Sequence, residues 1–200
     1  MNIQLSYVKQ TMLRLVLYAF AVMVIAEFLV LDIISFAGTN DFQEGSFTRA
    51  LQITICGINS ILLIFYAIKP SFKFRITALF IFGLIFSVGI IESGKIASLW
   101  LLFILAFVAL IMFILRKNRN TFLSEMNLYV RSFSFGLFFA GFMIAFVFSE
   151  LMGRNFFWTA VLEEADYTLA QNAIKEGLKL LGCFLILTST VELKFLSNKK

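Results

Sequence analysis

The sequence predicts an all-α membrane protein, a polytopic bundle of about six transmembrane helices with both termini on the cytoplasmic side. Hydrophobic residues make up 60% of the 200 residues and charged residues only 14%. The mean hydropathy is +0.93, whereas a soluble domain carries about 25% charged residues. Spans of about 20 residues joined by short loops use up a chain of this length. We therefore expect a single transmembrane domain over residues 1–200.

Six apolar stretches separated by short polar segments are the predicted spans. The breaks contain turn formers or charges, such as Gly38 to Asp41, the only proline, Pro70, and Ser93 to Lys95. The longest connection, 153–172, mixes aromatic with acidic residues, which suits a segment lying along lipid headgroups. A short surface helix is expected around Phe122 to Tyr129. The spans run over about 15–37, 50–68, 76–92, 96–115, 132–152 and 173–193.

The first span is unusual because it contains two carboxylates, Glu27 and Asp32, inside an apolar run. Glu27 follows Leu15 by about 18 Å at 1.5 Å per residue, just past the middle of a hydrocarbon core about 30 Å thick. Burying a charge there costs at least about 2.5 kcal/mol, so such residues usually face a bundle interior or a watery cavity. The run is longer than the core of a signal peptide, and we expect it to be retained.

Polar and small residues predict which faces of the other spans turn inward. Gln52 and Asn59 are seven residues apart and so share one face of the second span. Gly83 on the third span, and Gly136 and Gly141 on the fifth, predict close helix contacts. The fourth span is almost entirely Leu, Phe, Ala and Ile and is expected to face lipid.

The charges are distributed unequally between the two sides of the predicted bundle. When loops are assigned alternately, 12 of the 17 basic residues fall on the side that holds both termini. The positive-inside rule therefore places both termini in the cytoplasm. We expect the protein to be integral to the cytoplasmic (inner) membrane of a bacterium. The expected partners are the lipid bilayer and either other proteins or further copies of the chain. Nucleic acid is not expected, because no basic surface interleaved with aromatic residues is apparent.

Most of the acidic residues fall in the outer half of the bundle or outside it, which predicts a polar cavity open to the outside. Such a cavity would bind or pass a cation or a small polar solute. Lys179 is the expected ion-pair partner of Glu27, and Glu176 is the alternative partner of Lys179. Acids at helix ends also have a simpler explanation, because carboxylates there lie in water. The candidate solute- or cation-binding residues are Glu27, Asp32, Gln52, Asn59, Glu92, Glu150, Glu176 and Lys179.

Two short patches resemble known proteins. Residues 44–52 read Glu-Gly-Ser-Phe-Thr-Arg-Ala-Leu-Gln, and residues 175–182 read Lys-Glu-Gly-Leu-Lys-Leu-Leu-Gly. The first resembles the entry to a span, and the second resembles the last helix, in a group of uncharacterised bacterial multi-span inner-membrane proteins. That group usually has a Glu-Glu pair followed by Trp-Gly in its middle, where this chain has Glu92 alone. The resemblance implies a membrane location and no particular activity.

Three classes of function are open. The first is the solute-handling membrane protein described above, although the proline-broken helices and inverted repeats frequent in transporters are not visible. The second is a non-catalytic structural or assembly subunit of a membrane complex, in which Glu27 pairs with a base of a partner. The partner of Glu27 separates the two, because an ion pair with Lys179 favours a solute site and an outward-facing Glu27 favours assembly.

The third class, an intramembrane enzyme that modifies lipids, has no motif to support it. The sequence contains no histidine, which excludes Ser–His–Asp triads, haem ligation by histidine and the common zinc sites. We expect no cofactor, no metal and no catalytic residue, and the sequence leans against an enzyme.

Overall fold

Within residues 2–35, 47–92, 98–154, 158 and 167–198, which the computed structural model describes, every regular element is a helix. A π-helical segment, Met143–Phe148, joins α6 to α7. The prediction of an all-helical chain is confirmed for these residues. The helices are α1 (Asn2–Ser35), α2 (Phe47–Ile68), α3 (Arg75–Glu92), α4 (Ser98–Lys117), α5 (Arg119–Val130), α6 (Phe133–Phe142), α7 (Ser149–Met152) and α8 (Tyr167–Ser197).

Four described stretches are long and apolar enough to cross a membrane, and a fifth helical stretch, Arg75–Ser87, is apolar but shorter. The four correspond to the first, second, fifth and sixth predicted spans, and α3 and α4 lie where the third and fourth are predicted. This arrangement is compatible with a helical membrane protein. The four stretches are Met12–Ser35, Phe47–Ile68, Phe133–Met152 and Ala170–Ser197.

The chain divides into two compact units, and α2, α6 and α8 contribute to both. Unit 1 consists of Met1–Thr54 and Gly141–Phe184, and unit 2 of Ile55–Ala140 and Leu185–Lys200.

In unit 1, α1 contacts the beginning of α2 and the first half of α8. The rings of Phe28 and Phe47 pack with their centroids 4.8 Å apart, and the side chain of Leu29 lies against Gly177. These contacts leave most of the stretch Met12–Ser35 of α1 uncovered. In its most apolar stretch 6% of the residues are buried, compared with 39% in that of α8.

The π-helical segment packs closely against α8 at Gly182. A Cβ atom built at Gly182 would lie 2.5 Å from the Cβ of Ala145 and 2.6 Å from the carbonyl oxygen of Gly141, so only glycine fits. Small residues at such points let membrane helices approach each other closely. The predicted close contact at Gly141 is therefore confirmed.

In unit 2, α3 packs against α4 and α5. The predicted contact at Gly83 is confirmed, because a Cβ built there would overlap the side chain of Ile111 on α4. Phe86 and Phe107 add an edge-on aromatic contact between the same helices, with centroids 4.9 Å apart. The prediction for Gly136 is wrong, because the residue is exposed and a Cβ built there would meet no described atom within 4 Å.

In residues 106–117 of α4, the part of the fourth predicted span whose side chains are described, one narrow face is buried and the remaining surface is exposed. Among its described side chains, Leu110 and Phe113 are exposed, whereas Ile111 and Leu115 are buried. The expectation that this helix faces lipid is therefore compatible with its exposed residues and wrong for the face against α3.

The helix predicted around residues 122–129 is confirmed as α5, but it is not a simple surface helix, since Glu125 and Tyr129 are buried. The Glu125 carboxylate accepts hydrogen bonds from the backbone N–H of Thr77 at 2.8 Å and from its hydroxyl at 3.0 Å. Burial raises the pKa of Glu125, although the Thr77 hydrogen bonds and the charge of Arg75 oppose the rise. Burial also raises the pKa of Tyr129 to about 12.

The second half of α8 is joined to α6 by reciprocal hydrogen bonds between two buried serines. The hydroxyl of Ser134 donates to the carbonyl of Ser189, and the hydroxyl of Ser189 donates to the carbonyl of Ser134, each at 2.8 Å. Each hydroxyl thus has a partner inside unit 2, as buried polar groups require.

Candidate functional site

In unit 1, charged side chains converge where the end of α7 contacts α8. The ammonium nitrogen of Lys175 lies 3.0 Å from Oε1 of Glu150, and that of Lys179 lies 3.3 Å from the same oxygen. The two lysines are four residues apart and therefore share one face of α8. Their side chains are 23% and 18% exposed, and that of Glu150 is 45% exposed. One carboxylate oxygen thus lies between two ammonium groups.

The residues that follow α7 hold this cluster in place. The indole N–H of Trp158 donates to the carbonyl of Met152 at 2.5 Å, and the amide of Gln171 donates to the carbonyl of Gly153 at 2.6 Å. A Cβ at Gly153 would lie 2.7 Å from Cδ of Lys175, so the lysine stem crosses directly over this glycine. The close approach fixes where the Lys175 ammonium group reaches Glu150.

The inward face predicted for the second span is confirmed at Gln52 and Asn59, the two residues that predicted it. In unit 1, the side-chain amide of Gln52 donates to Oε2 of Glu176 at 3.0 Å and to its carbonyl oxygen at 2.8 Å. In unit 2, Asn59 is 2% exposed, and its Oδ1 accepts a hydrogen bond from the hydroxyl of Thr190 at 2.6 Å.

Asp32 caps the N-terminus of α2. Its carboxylate accepts the backbone N–H of Phe47 at 3.3 Å, and the backbone N–H and hydroxyl of Thr48 at 2.6 and 2.5 Å. The first backbone N–H groups of a helix lack partners within the helix and carry partial positive charge, so a carboxylate there is favourable. This arrangement explains how an acid only 7% exposed is accommodated in a predicted span.

Glu27 is exposed on α1, and the predicted ion pair between Glu27 and Lys179 is wrong, because Lys179 pairs with Glu150. The reason is the direction in which α1 faces. Leu29 points towards α8, and at about 100° per residue Glu27 lies about 200° around the helix from it. The contacts of α1 within unit 1 therefore turn Glu27 outward.

The side chain of Glu92, another candidate, lies outside the part of the chain whose side chains are described. Lys175 was missed, although its spacing of four residues from Lys179 was an available signal. Within the described residues, no three His, Cys, Asp or Glu side chains form a group that could hold a metal ion.

No protein-family model, curated protein or solved structure matches this chain. The resemblance of residues 44–52 and 175–182 to bacterial multi-span proteins therefore stays a prediction. The contacts of the individual side chains carry the functional argument: Asp32 and Glu150 have partners within their own unit, whereas Glu27 is turned outward from a long apolar helix.

Proposed function

We propose that this protein is a non-catalytic assembly subunit of a membrane-protein complex and that α1 is the helix with which it docks. The observation that carries the proposal is the exposure of Glu27 within the apolar stretch Met12–Ser35. A carboxylate facing hydrocarbon costs at least about 2.5 kcal/mol. A polar group on a neighbouring protein removes that cost, so the exposed acid indicates a contact surface.

The partners of the other acidic side chains, Asp32 and Glu150, favour this proposal over a cation-binding cavity. Asp32 already accepts three hydrogen bonds at the start of α2, and Glu150 already neutralises charge on Lys175 and Lys179. The oxygens of Asp32 are occupied by hydrogen-bond donors of this chain, and the charge of Glu150 is outnumbered by two lysines, so neither carboxylate is well placed to bind a cation.

The proposal includes a topology of six spans with both termini on the cytoplasmic side of the inner membrane. It combines the four long apolar stretches with α3 and α4 as the remaining spans. The excess of basic residues on the side of the termini supports the orientation. In this topology α5 lies on the cytoplasmic side.

The proposal is tested by measuring the mass of the assembly that contains this protein after native membranes are gently solubilised in detergent. We expect the tagged full-length chain to elute with a protein mass, measured by light scattering, well above its own 22.8 kDa. Glu27→Leu is expected to shift that mass towards a monomer, because Leu is accommodated by lipid alone. Leu17→Ala, which alters another exposed residue of α1, is the matched control and keeps the large assembly. A parent protein that is monomeric, or an assembly unchanged by Glu27→Leu, overturns the proposal.

Solute handling is the second candidate function, and the polar cluster of unit 1 is the observation that favours it. The partly exposed lysines beside Glu150 lie on the same helix as Glu176, which Gln52 contacts. This candidate requires that added cations raise the melting temperature of the purified protein and that Glu27→Gln or Glu150→Gln abolishes the rise. The absence of any cation response removes the cation-binding version.

A further inference from the structure

The face of α1 that carries Glu27 has the spacing of a helix-docking surface. Successive members of this face are separated by alternating steps of four and three residues, a 3.5-residue repeat that forms a single stripe a partner helix can follow. Its five apolar members are 49% to 66% exposed, and Glu27 is exposed as well. We call this stripe the Glu27 seam. It consists of Val16, Phe20, Met23, Glu27, Val30 and Ile34.

The opposite face of α1 is the one that this chain itself covers. Leu29 lies against Gly177, and Asp32 binds the start of α2. Both are rotated by more than about 130° from Glu27 around the helix, and Phe28, which packs on Phe47, is about 100° from it. The Glu27 seam therefore faces away from the contacts that α1 makes within unit 1, and a partner helix could lie along it without displacing them.

We infer that the Glu27 seam is the docking surface for a transmembrane helix of another protein, and that this helix presents a Lys or Arg to Glu27. The inference rests on the proposed function and names the chemistry of the partner. The argument is charge complementarity, because attraction between opposite charges is strong where water is excluded. Intramembrane ionisable residues commonly pair with one another for this reason.

A second copy of this chain is a poorer match to the seam. The bases well inside the described spans are Lys175 and Lys179, and both are held by Glu150. Two copies inserted with the same orientation and meeting through the same seam would place Glu27 against Glu27. Two carboxylates at one site repel each other when both are ionised, whereas a base on a different protein attracts Glu27.

The seam also predicts where the partner base must lie. A single polar residue in an otherwise apolar heptad repeat fixes the register of the two helices. The exposed side chains of Phe20, Met23 and Val30 supply apolar packing on either side of Glu27. The Lys or Arg is therefore expected at the membrane depth of Glu27 and not near a helix end.

The probe is a synthetic transmembrane helix of Leu and Ala with a single central Lys, and its control carries Leu at that position. The full-length protein bears a donor fluorophore on a C-terminal tag, the peptides bear an acceptor, and energy transfer is measured in phosphatidylcholine vesicles. We expect the Lys peptide to bind about tenfold more tightly than the Leu peptide. Glu27→Gln, which conserves shape at an exposed site, is expected to remove this preference. Met23→Ala weakens binding of both peptides, whereas the control Leu17→Ala changes neither.

Equal binding of the two peptides by the parent protein overturns the inference, and so does a Lys preference that survives Glu27→Gln. Suppose instead that labelled copies of the protein show energy transfer to one another and that the Lys peptide does not bind. This would show that a second copy of the chain covers the seam. That result overturns the inference but leaves an assembly role standing. The proposed function fails on a separate result, a monomeric parent protein in gently solubilised native membranes.

Discussion

Asp32 holds the first turn of α2 through Thr48, and its carboxylate receives both the backbone N–H and the hydroxyl of that threonine. Glu125 does the same for Thr77 in the first turn of α3. Each helix thus has in its first turn a threonine whose two donors bind a carboxylate supplied by a different helix. These two acids anchor helix starts, and their position in the fold is explained without any ligand.

Removing the Asp32 cap is expected to destabilise the protein. Asp32→Ala leaves the N–H groups of Phe47 and Thr48 without their acceptor and should lower the free energy of unfolding by about 1–3 kcal/mol. Asp32→Asn keeps an acceptor oxygen and should cost less. Unfolding in detergent micelles, followed by circular dichroism, measures both. Ser35→Ala, which removes an exposed hydroxyl that bonds within α1, is the control, and an equal loss in this variant would contradict the capping role.

The buried carboxyl of Glu125 predicts a pH dependence with a definite sign. Burial raises its pKa above the ordinary value of 4.5, so the folded protein binds this proton more tightly than the unfolded chain does. The associated stability is fully present below the unfolded pKa and is lost as the pH rises through the higher folded pKa. The melting temperature is therefore expected to fall with rising pH across that interval.

Two variants test this assignment. Glu125→Gln removes the titrating group and should remove this part of the pH dependence. Thr77→Val removes a hydroxyl that lowers the pKa, so it should move the fall in stability to higher pH. A parent and a Glu125→Gln variant with the same pH profile would show that another group is responsible.

The ion pairs of Glu150 are expected to contribute a modest coupling energy. Glu150 is 45% exposed, and pairs at such sites contribute about 0.2–1 kcal/mol. A double-mutant cycle with Glu150→Gln and Lys179→Met, read from free energies of unfolding, should give a coupling in this range. The same cycle with Lys175→Met is the companion measurement, and strictly additive effects in both cycles would argue against the observed pairs.

Substitution by alanine is expected to affect stability differently at Gly182, where the helices are in close contact, and at Gly136, where they are not. Gly182→Ala forces a methyl group against Ala145 and should cost about 1–3 kcal/mol of stability. Gly136→Ala adds a methyl group where nothing described lies within 4 Å and should be neutral or stabilise by up to about 1 kcal/mol. Thermal unfolding in micelles compares the two variants, and equal effects would be inconsistent with the packing at Gly182.

The positions of the helices could be predicted from the sequence because apolar runs and turn formers are local signals. α2 ends at Ile68 and α3 at Glu92, as predicted. The start of α1 was predicted less well, since the helix begins at Asn2, well before Leu15. An apolar run marks the part of a helix suited to hydrocarbon and not the full hydrogen-bonded element.

The partners of individual side chains could not be predicted, because they depend on which helices become neighbours. Counting residues along a span gives the depth of Glu27 but not the direction in which it points. Packing of Leu29 against Gly177 sets that direction, and nothing within the first span reveals it. For the same reason Glu125, unremarkable in a basic loop, proves to be buried against α3.

The π-helical segment before Glu150 changes the direction, around the helix axis, in which the following residues of that helix point. A hydrogen-bond pattern of i to i+5 takes up one residue more per turn than an α-helix does. At about 100° per residue, Ser149 and Glu150 are rotated by roughly that angle from where regular α-helical winding from Gly141 would place them. The meeting of Glu150 with the two lysines of α8 thus depends on one inserted residue. In an alignment of related chains, a gap of a single position between residues 143 and 148 would mark a protein in which this cluster is dismantled.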